Sequence, residues 1–250
     1  MSADRAPRCG LTPDQHASYR SNGYLLLPRR VPGSFLSAVQ SVLEELVDDD
    51  IARWFEAGPT GEPCVDEPFG HRYHAAWRAA GRPAAPAPTP DERFFVRAQN
   101  HLLHEDWLLA LAAEVLGVDR VTPLPSSFFR AKFPDDPSTS LPWHQDAPCV
   151  APLTGLRFVT AWIPLVDVSE ASSCLEISPI GPEAATFATA WSERTGYVCM
   201  RDEDSERLPN VQPMRMHRGD VLLMSPYLPH RTLENTGDQI RWSVDLRFGA

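Results

Sequence analysis

The residues of this chain best placed to do chemistry are His144 and Asp146, within Leu141-Pro142-Trp143-His144-Gln145-Asp146-Ala147-Pro148. Prolines at both ends keep the stretch out of a helix interior and predict a short extended segment. In an extended strand residues i and i+2 point to the same side, with Cα atoms about 6–7 Å apart. His144 and Asp146 then converge while Gln145 turns away. One imidazole and one carboxylate are two thirds of a facial 2-His-1-carboxylate site, which holds non-heme Fe(II) and leaves positions open for O₂ and a cosubstrate.

The spacing alone is weak, because chance placement gives about 0.6 His-x-Asp matches in a chain of this composition. A second match, His104-Glu105-Asp106, is in fact present. It opens the apolar run Trp107 to Leu116, which predicts a helix closed by Gly117. On a helix residues two apart diverge by roughly 200°, so this pair cannot share a metal. Asp106 reads instead as a first-turn or capping carboxylate.

A third ligand candidate is His230. It follows the buried strand Val221-Leu222-Leu223-Met224 and the break Ser225-Pro226-Tyr227-Leu228-Pro229. A lone histidine in such a place is more often structural. Beyond it, Ile240 to Phe248 alternates: Trp242, Val244, Leu246 and Phe248 on one face; Arg241, Ser243, Asp245 and Arg247 on the other. The polar face reads either as solvent-facing or as lining a barrel mouth, where the Arg241 fork could grip a carboxylate bidentately.

The elements that must position these groups follow from local signals. Thr12-Pro13-Asp14-Gln15 starts a helix and Asn22-Gly23 stops it; Tyr24-Leu25-Leu26-Leu27 is a short strand. Pro32-Gly33-Ser34 opens a second helix, with Phe35, Val39, Val42, Leu43 and Leu46 at helical spacing and its end in Asp48-Asp49-Asp50. Residues 51–92 hold Trp54, Phe55, Phe69, His71, Tyr73, His74 and Trp77 among prolines and glycines, and close in a proline-rich linker. They predict a long loop over one end of the core, either a surface excursion or a substrate lid. From residue 120 onward short β-like runs separated by Gly, Pro and Asp predict an antiparallel sandwich or barrel. Residues 183–210 interrupt it as a charged insertion, expected to be a solvated loop.

The net charge is −10 with 43% hydrophobic residues, and no Lys/Arg block exists. Nucleic acid and anionic membrane surfaces are therefore poor partners for this chain. No apolar run approaches the ~18 residues of a membrane helix, and residues 1–8 lack a signal-peptide core. The cysteines Cys9, Cys64, Cys149, Cys174 and Cys199 show no metal or disulfide spacing, which points to reduced thiols in a cytoplasm. Cys149 reads as a small buried hydrophobe rather than a nucleophile.

Taken together, Trp143-His144-Gln145-Asp146, Ala161-Trp162-Ile163-Pro164-Leu165, Cys174-Leu175-Glu176-Ile177, Gly219-Asp220, His230-x-Thr232 and Arg241 resemble the phytanoyl-CoA dioxygenase family of Fe(II)/2-oxoglutarate-dependent oxygenases. Tyr19-x-x-Asn22-Gly23-Tyr24-Leu25 extends the likeness, which runs from about residue 11 to the end. It implies one domain over 1–250, mainly β with flanking helices: a helical part at 11–50 and a double-stranded β-helix (jelly-roll, cupin-like) core at 120–250. It implies that His144, Asp146 and His230 bind iron. Arg241, supported by the Thr232 hydroxyl, would take the distal carboxylate of 2-oxoglutarate. Trp162, Phe128 and Arg97 match cosubstrate-contact positions, with Arg130 and Lys132 as rival basic partners. Where the family has a Pro-Gly-Ser-His turn this chain has Ser178-Pro179-Ile180-Gly181-Pro182. Asp146 disfavours halogenation, because related halogenases carry a small residue there.

The implied activity is oxidation, by default hydroxylation, of a small-molecule metabolite such as a natural-product intermediate; an acyl-CoA would want a basic patch. Two other classes stay open: a 2-oxoglutarate-independent cupin-type metal enzyme, which would not need Arg241, and a non-catalytic metal-binding module. A zinc hydrolase is a weaker third, lacking an evident general base. Oligomeric state is not legible in the sequence.

Overall fold

The N-terminal elements are set by capping chemistry. In this computed structural model, which describes residues 10–56, 58, 63–64, 66–83, 104–124, 127–137, 140–149 and 157–250, helix α1 spans Pro13–Asn22. Its capping box is complete: the Gln15 backbone N–H donates to Thr12 Oγ1 (3.2 Å) and the Thr12 N–H to Gln15 Oε1 (2.8 Å). Gly23, at φ 71°, ends the helix and turns the chain into strand β1 (Tyr24–Leu27). A side chain at Gly23 would also collide with its neighbour, since an added Cβ would overlap the Ile180 carbonyl oxygen. That carbonyl belongs to the Ser178–Pro182 turn, which is pinned by the Ile180 N–H donating to Asn22 O (3.0 Å) and the Ser178 N–H to Pro229 O (3.0 Å).

Helix α2 (Gly33–Glu56) does not stop at the acidic run as expected. Asp50 is buried there, accepts a 2.6 Å hydrogen bond from the Tyr73 hydroxyl and pairs with Arg53, so its charge is matched inside a continuing helix. The expected loop over 51–92 is corrected with it: residues to Glu56 belong to α2, and Phe69–Ala79 form helix α3. Phe69, Tyr73 and Trp77 lie at i, i+4 and i+8, a helical stripe that the flanking prolines and glycines obscured. Tyr73 stacks on Trp242 (5.7 Å between centroids) and Trp54 (5.0 Å), and Phe69 on Trp242 (5.6 Å). Helix α4 (Asp106–Leu116) has Asp106 in its first turn and ends on Gly117, as expected.

The remaining elements are β2 (Thr122–Pro123), β3 (Phe128–Lys132), β4 (Phe158–Pro164), β5 (Leu175–Ile177), β6 (Thr189–Ser192), β7 (Tyr197–Met200), short helix α5 (Asp202–Ser205), β8 (Gln212–Met214), β9 (Val221–Met224), β10 (His230–Thr232) and β11 (Arg241–Gly249). The main sheet runs β1-β9-β4-β11-β2, with β3 also paired to β11; the smaller one runs β10-β5-β8. All of these pairings are antiparallel. Trp162, Leu222 and Met224 of the main sheet share an apolar cluster with Leu175, Ile177 and Met214 of the smaller one, so the two sheets pack face to face. The opposite face of the main sheet, with Ile163, Leu223, Trp242 and Val244, packs on α2, α3 and α4. This is the expected mainly β, jelly-roll core with flanking helices.

The 183–210 insertion departs from expectation. Its Arg201–Arg207 charge run is largely exposed, but β6 and β7 form a hairpin. The Met200 N–H donates to Trp143 O (2.8 Å), stitching that hairpin to the His144 segment. Among the described residues no helix is long and apolar enough to cross a membrane.

The contrast between two glycines at positive φ makes the turn's role measurable. Gly117→Ala, with open space around its Cβ, should cost about 1–2 kcal/mol for the left-handed backbone alone. Gly23→Ala should cost clearly more, because it adds the collision with Ile180. Equal shifts in urea midpoint for the two variants would count against this packing.

Candidate metal centre

The centre is built on a backbone pairing. The His144 N–H donates to His230 O (2.9 Å) and the His230 N–H to His144 O (3.0 Å), an isolated antiparallel bridge that adds the His144 segment to the edge of β10. The two imidazoles stand 4.1 Å apart between centroids. Asp146, two residues on, reaches the same point, and one ligand atom from each of His144, Asp146 and His230 lies within 4.8 Å of the others. All three are buried. Gln145 does turn away: its Nε2 donates to Tyr227 O (2.5 Å), and its Oε1 accepts from the Phe187 N–H (2.8 Å).

Hydrogen bonding prepares both imidazoles to bind a metal. His144 Nδ1 is 2.8 Å from Pro142 O, and His230 Nδ1 is 2.9 Å from Leu228 O. A carbonyl only accepts, so Nδ1 carries the proton in each ring and Nε2 keeps its lone pair free. Burial, reinforced by the neighbouring His230, pushes His144 down to about 3 despite the opposing Asp146 charge. Burial alone would raise the Asp146 carboxyl, but Arg247 and the two histidines overcome it and hold the group well below the usual carboxylate range. Arg247 Nη2 lies 2.9 Å from Asp146 Oδ1 and 3.0 Å from Oδ2, and Thr160 Oγ1 donates to Oδ2 (2.7 Å).

The polar face of β11 does not face solvent. Arg241, Ser243, Asp245 and Arg247 are 1%, 0%, 7% and 2% exposed, which decides between the two readings of the alternation. Arg241 donates through Nε to Ser173 O (3.0 Å) and through Nη1 to Ser243 Oγ (2.5 Å), with its guanidinium 5.5 Å over the Trp162 ring. Burial pushes it down to about 10. Lys132, opposite Arg241 in the β3–β11 register, is held well below its ordinary value by burial and by Arg241 and Arg130. Its Nζ is buried with no hydrogen-bond partner among the described residues. Arg130 pairs with Asp245 (3.2 Å).

His144, His230, Thr160, Trp162, Thr232, Arg241 and Lys132 line one cavity of about 20 Å³, room for about one water. The structure thus brings His144, Asp146 and His230 together and sets Arg241, Thr232 and Trp162 beside them. Phe128 lies on β3 opposite Asp245; Arg97 falls outside the described residues. Cys149 is half-buried, and burial pushes its thiol up to about 11, which suits a packing residue rather than a nucleophile.

Three residues at the centre escaped sequence reading: Thr160, Arg247 and Tyr197. Arg247 was visible on the same alternating face as Arg241, six residues along. Tyr197, whose ring meets His144 edge-on at 5.1 Å, comes from the insertion and had no local signal. Nor do the aromatic side chains of α3 line the centre. Phe69, Tyr73 and Trp77 pack with the Trp242 face of the main sheet, opposite to that of Arg241.

The family model of phytanoyl-CoA dioxygenase (PhyH) matches residues 19–243. No functionally curated protein matches the chain. Among solved structures, EvdO2 from Micromonospora carbonacea var. aurantiaca, complexed with 2-oxoglutarate, superposes with a TM-score of 0.68 at 17% identity, covering 96% of this chain and 91% of that one. SnoK, a non-heme α-ketoglutarate-dependent carbocyclase from nogalamycin biosynthesis, gives 0.62 at 19% identity, covering 96% and 84%. EctD from S. alaskensis, with 2-oxoglutarate and 5-hydroxyectoine, gives 0.61 at 18% identity, covering 100% and 79%. At these identities the structural likeness establishes the fold.

The depressed His144 makes the metal-free protein sensitive to acid. An unfolded chain protonates this residue below its ordinary 6.5, whereas the folded one does so only near 3. Between those values the unfolded state takes up a proton that the folded state refuses, so stability falls as pH drops through the window, by up to ~5 kcal/mol. Urea midpoints of chelator-treated protein across this range should show the loss, and His144→Gln should remove much of it; an unchanged slope in the variant would refute it.

Proposed function

The chain belongs to the phytanoyl-CoA dioxygenase family, and on that premise we propose that it oxidises a small-molecule metabolite using Fe(II), 2-oxoglutarate and O₂. One observation carries this reading: two imidazoles and a carboxylate converge on one point, beside a buried guanidinium and a lysine Nζ with no hydrogen-bond partner among the described residues. The first set fits a divalent transition metal. The second wants an anion, and a dicarboxylate coordinated at one end and gripped at the other satisfies both.

Each side chain then has a role. His144 and His230 would present Nε2 to the iron, and Asp146 a carboxylate oxygen. Arg241 would bind the distal carboxylate of 2-oxoglutarate bidentately, with the Thr232 hydroxyl beside it and the Trp162 ring bracing the guanidinium. Lys132 and Arg130 add positive charge along the same wall. Because the cavity is far smaller than a five-carbon diacid, some of these side chains must part when the cosubstrate enters. Bound iron and 2-oxoglutarate supply the activation of O₂ for attack on a C–H bond; the protein supplies ligands, orientation and a dry enclosure.

For the substrate, the favoured class is a neutral or partly apolar natural-product intermediate, with hydroxylation the default outcome. The net charge of −10, with no Lys/Arg block in the sequence, does not favour a coenzyme A phosphate. The structural neighbours named above include a carbocyclase of nogalamycin biosynthesis, a precedent on this fold.

The decisive experiment is an anaerobic absorbance titration of metal-free protein with Fe(II) and then 2-oxoglutarate. A weak visible charge-transfer band that needs both additions is expected. Iron binding without such a band would favour a 2-oxoglutarate-independent enzyme, and no iron binding would favour a binding module. His230→Ala should abolish iron binding. Arg241→Ala should keep the iron and weaken 2-oxoglutarate binding roughly 10–100-fold, from the loss of a bidentate charged pair; unchanged affinity would overturn the assignment of Arg241.

A further inference from the structure

The side chains around Asp146 divide its two oxygens unequally. Oδ2 accepts from two donors of its own, Thr160 Oγ1 at 2.7 Å and Arg247 Nε at 3.2 Å, and shares Arg247 Nη2 (3.0 Å) with Oδ1. Among the described residues, Oδ1 accepts from that shared Nη2 alone, at 2.9 Å. An ionised carboxylate offers about four lone-pair sites, two on each oxygen. Donors therefore occupy Oδ2 fully, while Oδ1 keeps a lone pair for a metal. From this we infer that Thr160 and Arg247 form a clamp that makes Asp146 a one-oxygen ligand through Oδ1, and so keeps three positions of the metal open.

The clamp is built into the sheet. Thr160 on β4 and Arg247 on β11 are direct cross-strand partners, so their side chains stand together on the face of the main sheet turned to the smaller one. Both are buried, Thr160 at 1% and Arg247 at 2% exposure. A buried fork held against one carboxylate is rigid, because a guanidinium is planar and loses little freedom per hydrogen bond formed. Asp146 itself rides on the His144 segment attached to the smaller sheet, so the clamp reaches across from the opposite wall. Thr160 and Arg247 are positioning residues: they act through Asp146.

The consequence is countable. A six-coordinate ion held by three protein atoms has three positions left, which suffices for a chelating cosubstrate and O₂. A carboxylate free to bind through both oxygens would consume one of the three. Removing the clamp should therefore change how many waters a bound ion carries, without any turnover.

The inference rests on the metal-site reading above, and the test separates the two by using Mn(II) alone, without 2-oxoglutarate or O₂. Binding is followed by the free Mn(II) electron paramagnetic resonance signal, and bound water by proton relaxation. In Arg247→Met and in the double variant Arg247→Lys with Thr160→Val, Mn(II) should bind no more weakly than in the wild type, and the bound-water count should fall by about one third. The second variant keeps the buried positive charge, and so the fold, if the first fails to fold. Arg247→Lys alone should restore the fold but not the full water count. Complete rescue by that lysine would make Arg247 a charge-neutralising residue only and overturn the clamp. So would an unchanged water count in folded variants, or loss of Mn(II) binding at an unchanged melting temperature. Failure of the wild type to bind Mn(II) would instead overturn the metal site, and the clamp with it.

Discussion

The constraint on which the rest depends is the pair of backbone hydrogen bonds between His144 and His230. The two histidines lie far apart in sequence, yet their N–H and C=O groups exchange bonds of 2.9 and 3.0 Å, a fixed antiparallel pairing. Strand geometry then dictates that both side chains project to the same side. Everything near the centre is registered against this bridge. Thr232 N–H donates to Leu141 O (3.0 Å) on one side of it and Ala147 N–H to Pro226 O (2.8 Å) on the other. The prolines that bracket the His144 segment and precede His230 limit alternative pairings, because each lacks a donor. A slip of the His144 segment by one residue would turn its ring out of the cavity.

The second constraint is the two-sidedness of β11. Its apolar residues pack against the helices, and its polar ones line the interior between the sheets. One strand thus carries a structural face and a chemical face with a two-residue period, and the aromatic stack of Phe69, Tyr73 and Trp242 lies on the structural side. Residues expected to shape a substrate lid serve instead to anchor the helices that hold this strand.

Among the described residues, the interior around the centre carries more basic than acidic side chains. Arg130, Lys132, Arg241 and Arg247 are buried there with Asp146 and Asp245. Two ion pairs match part of this, Arg247 with Asp146 and Arg130 with Asp245; Arg241 and Lys132 remain on the cavity wall. Burying unmatched charge is unfavourable for folding and is tolerated where a ligand completes the balance. A dianion would do so, and the electrostatics and the His144, Asp146 and His230 cluster thus point to one chemistry. The same arithmetic explains the low proton affinity of Lys132 and of His144: each is pressed by burial and by like-charged or basic neighbours.

Much of this was legible in the sequence because it depends on short-range rules. The Thr12–Gln15 capping box, the Gly23 and Gly117 stops, the i, i+2 convergence of His144 and Asp146, the outward turn of Gln145 and the alternation of residues 240–248 all follow from backbone periods of 3.6 and 2. Other features were decided only by tertiary structure. Whether the polar face of β11 met water or a cavity depended on a second sheet being there to cover it. The helix through Asp50 depended on Tyr73 arriving from another helix to satisfy a buried carboxylate. The placing of Tyr197 against His144, and of Thr160 and Arg247 around Asp146, required strands distant in sequence to pair in one register. A linear pattern states which way a side chain points; it does not state what stands opposite, and at this centre the groups standing opposite set the ionisation of His144 and Asp146 and the free lone pair of Asp146.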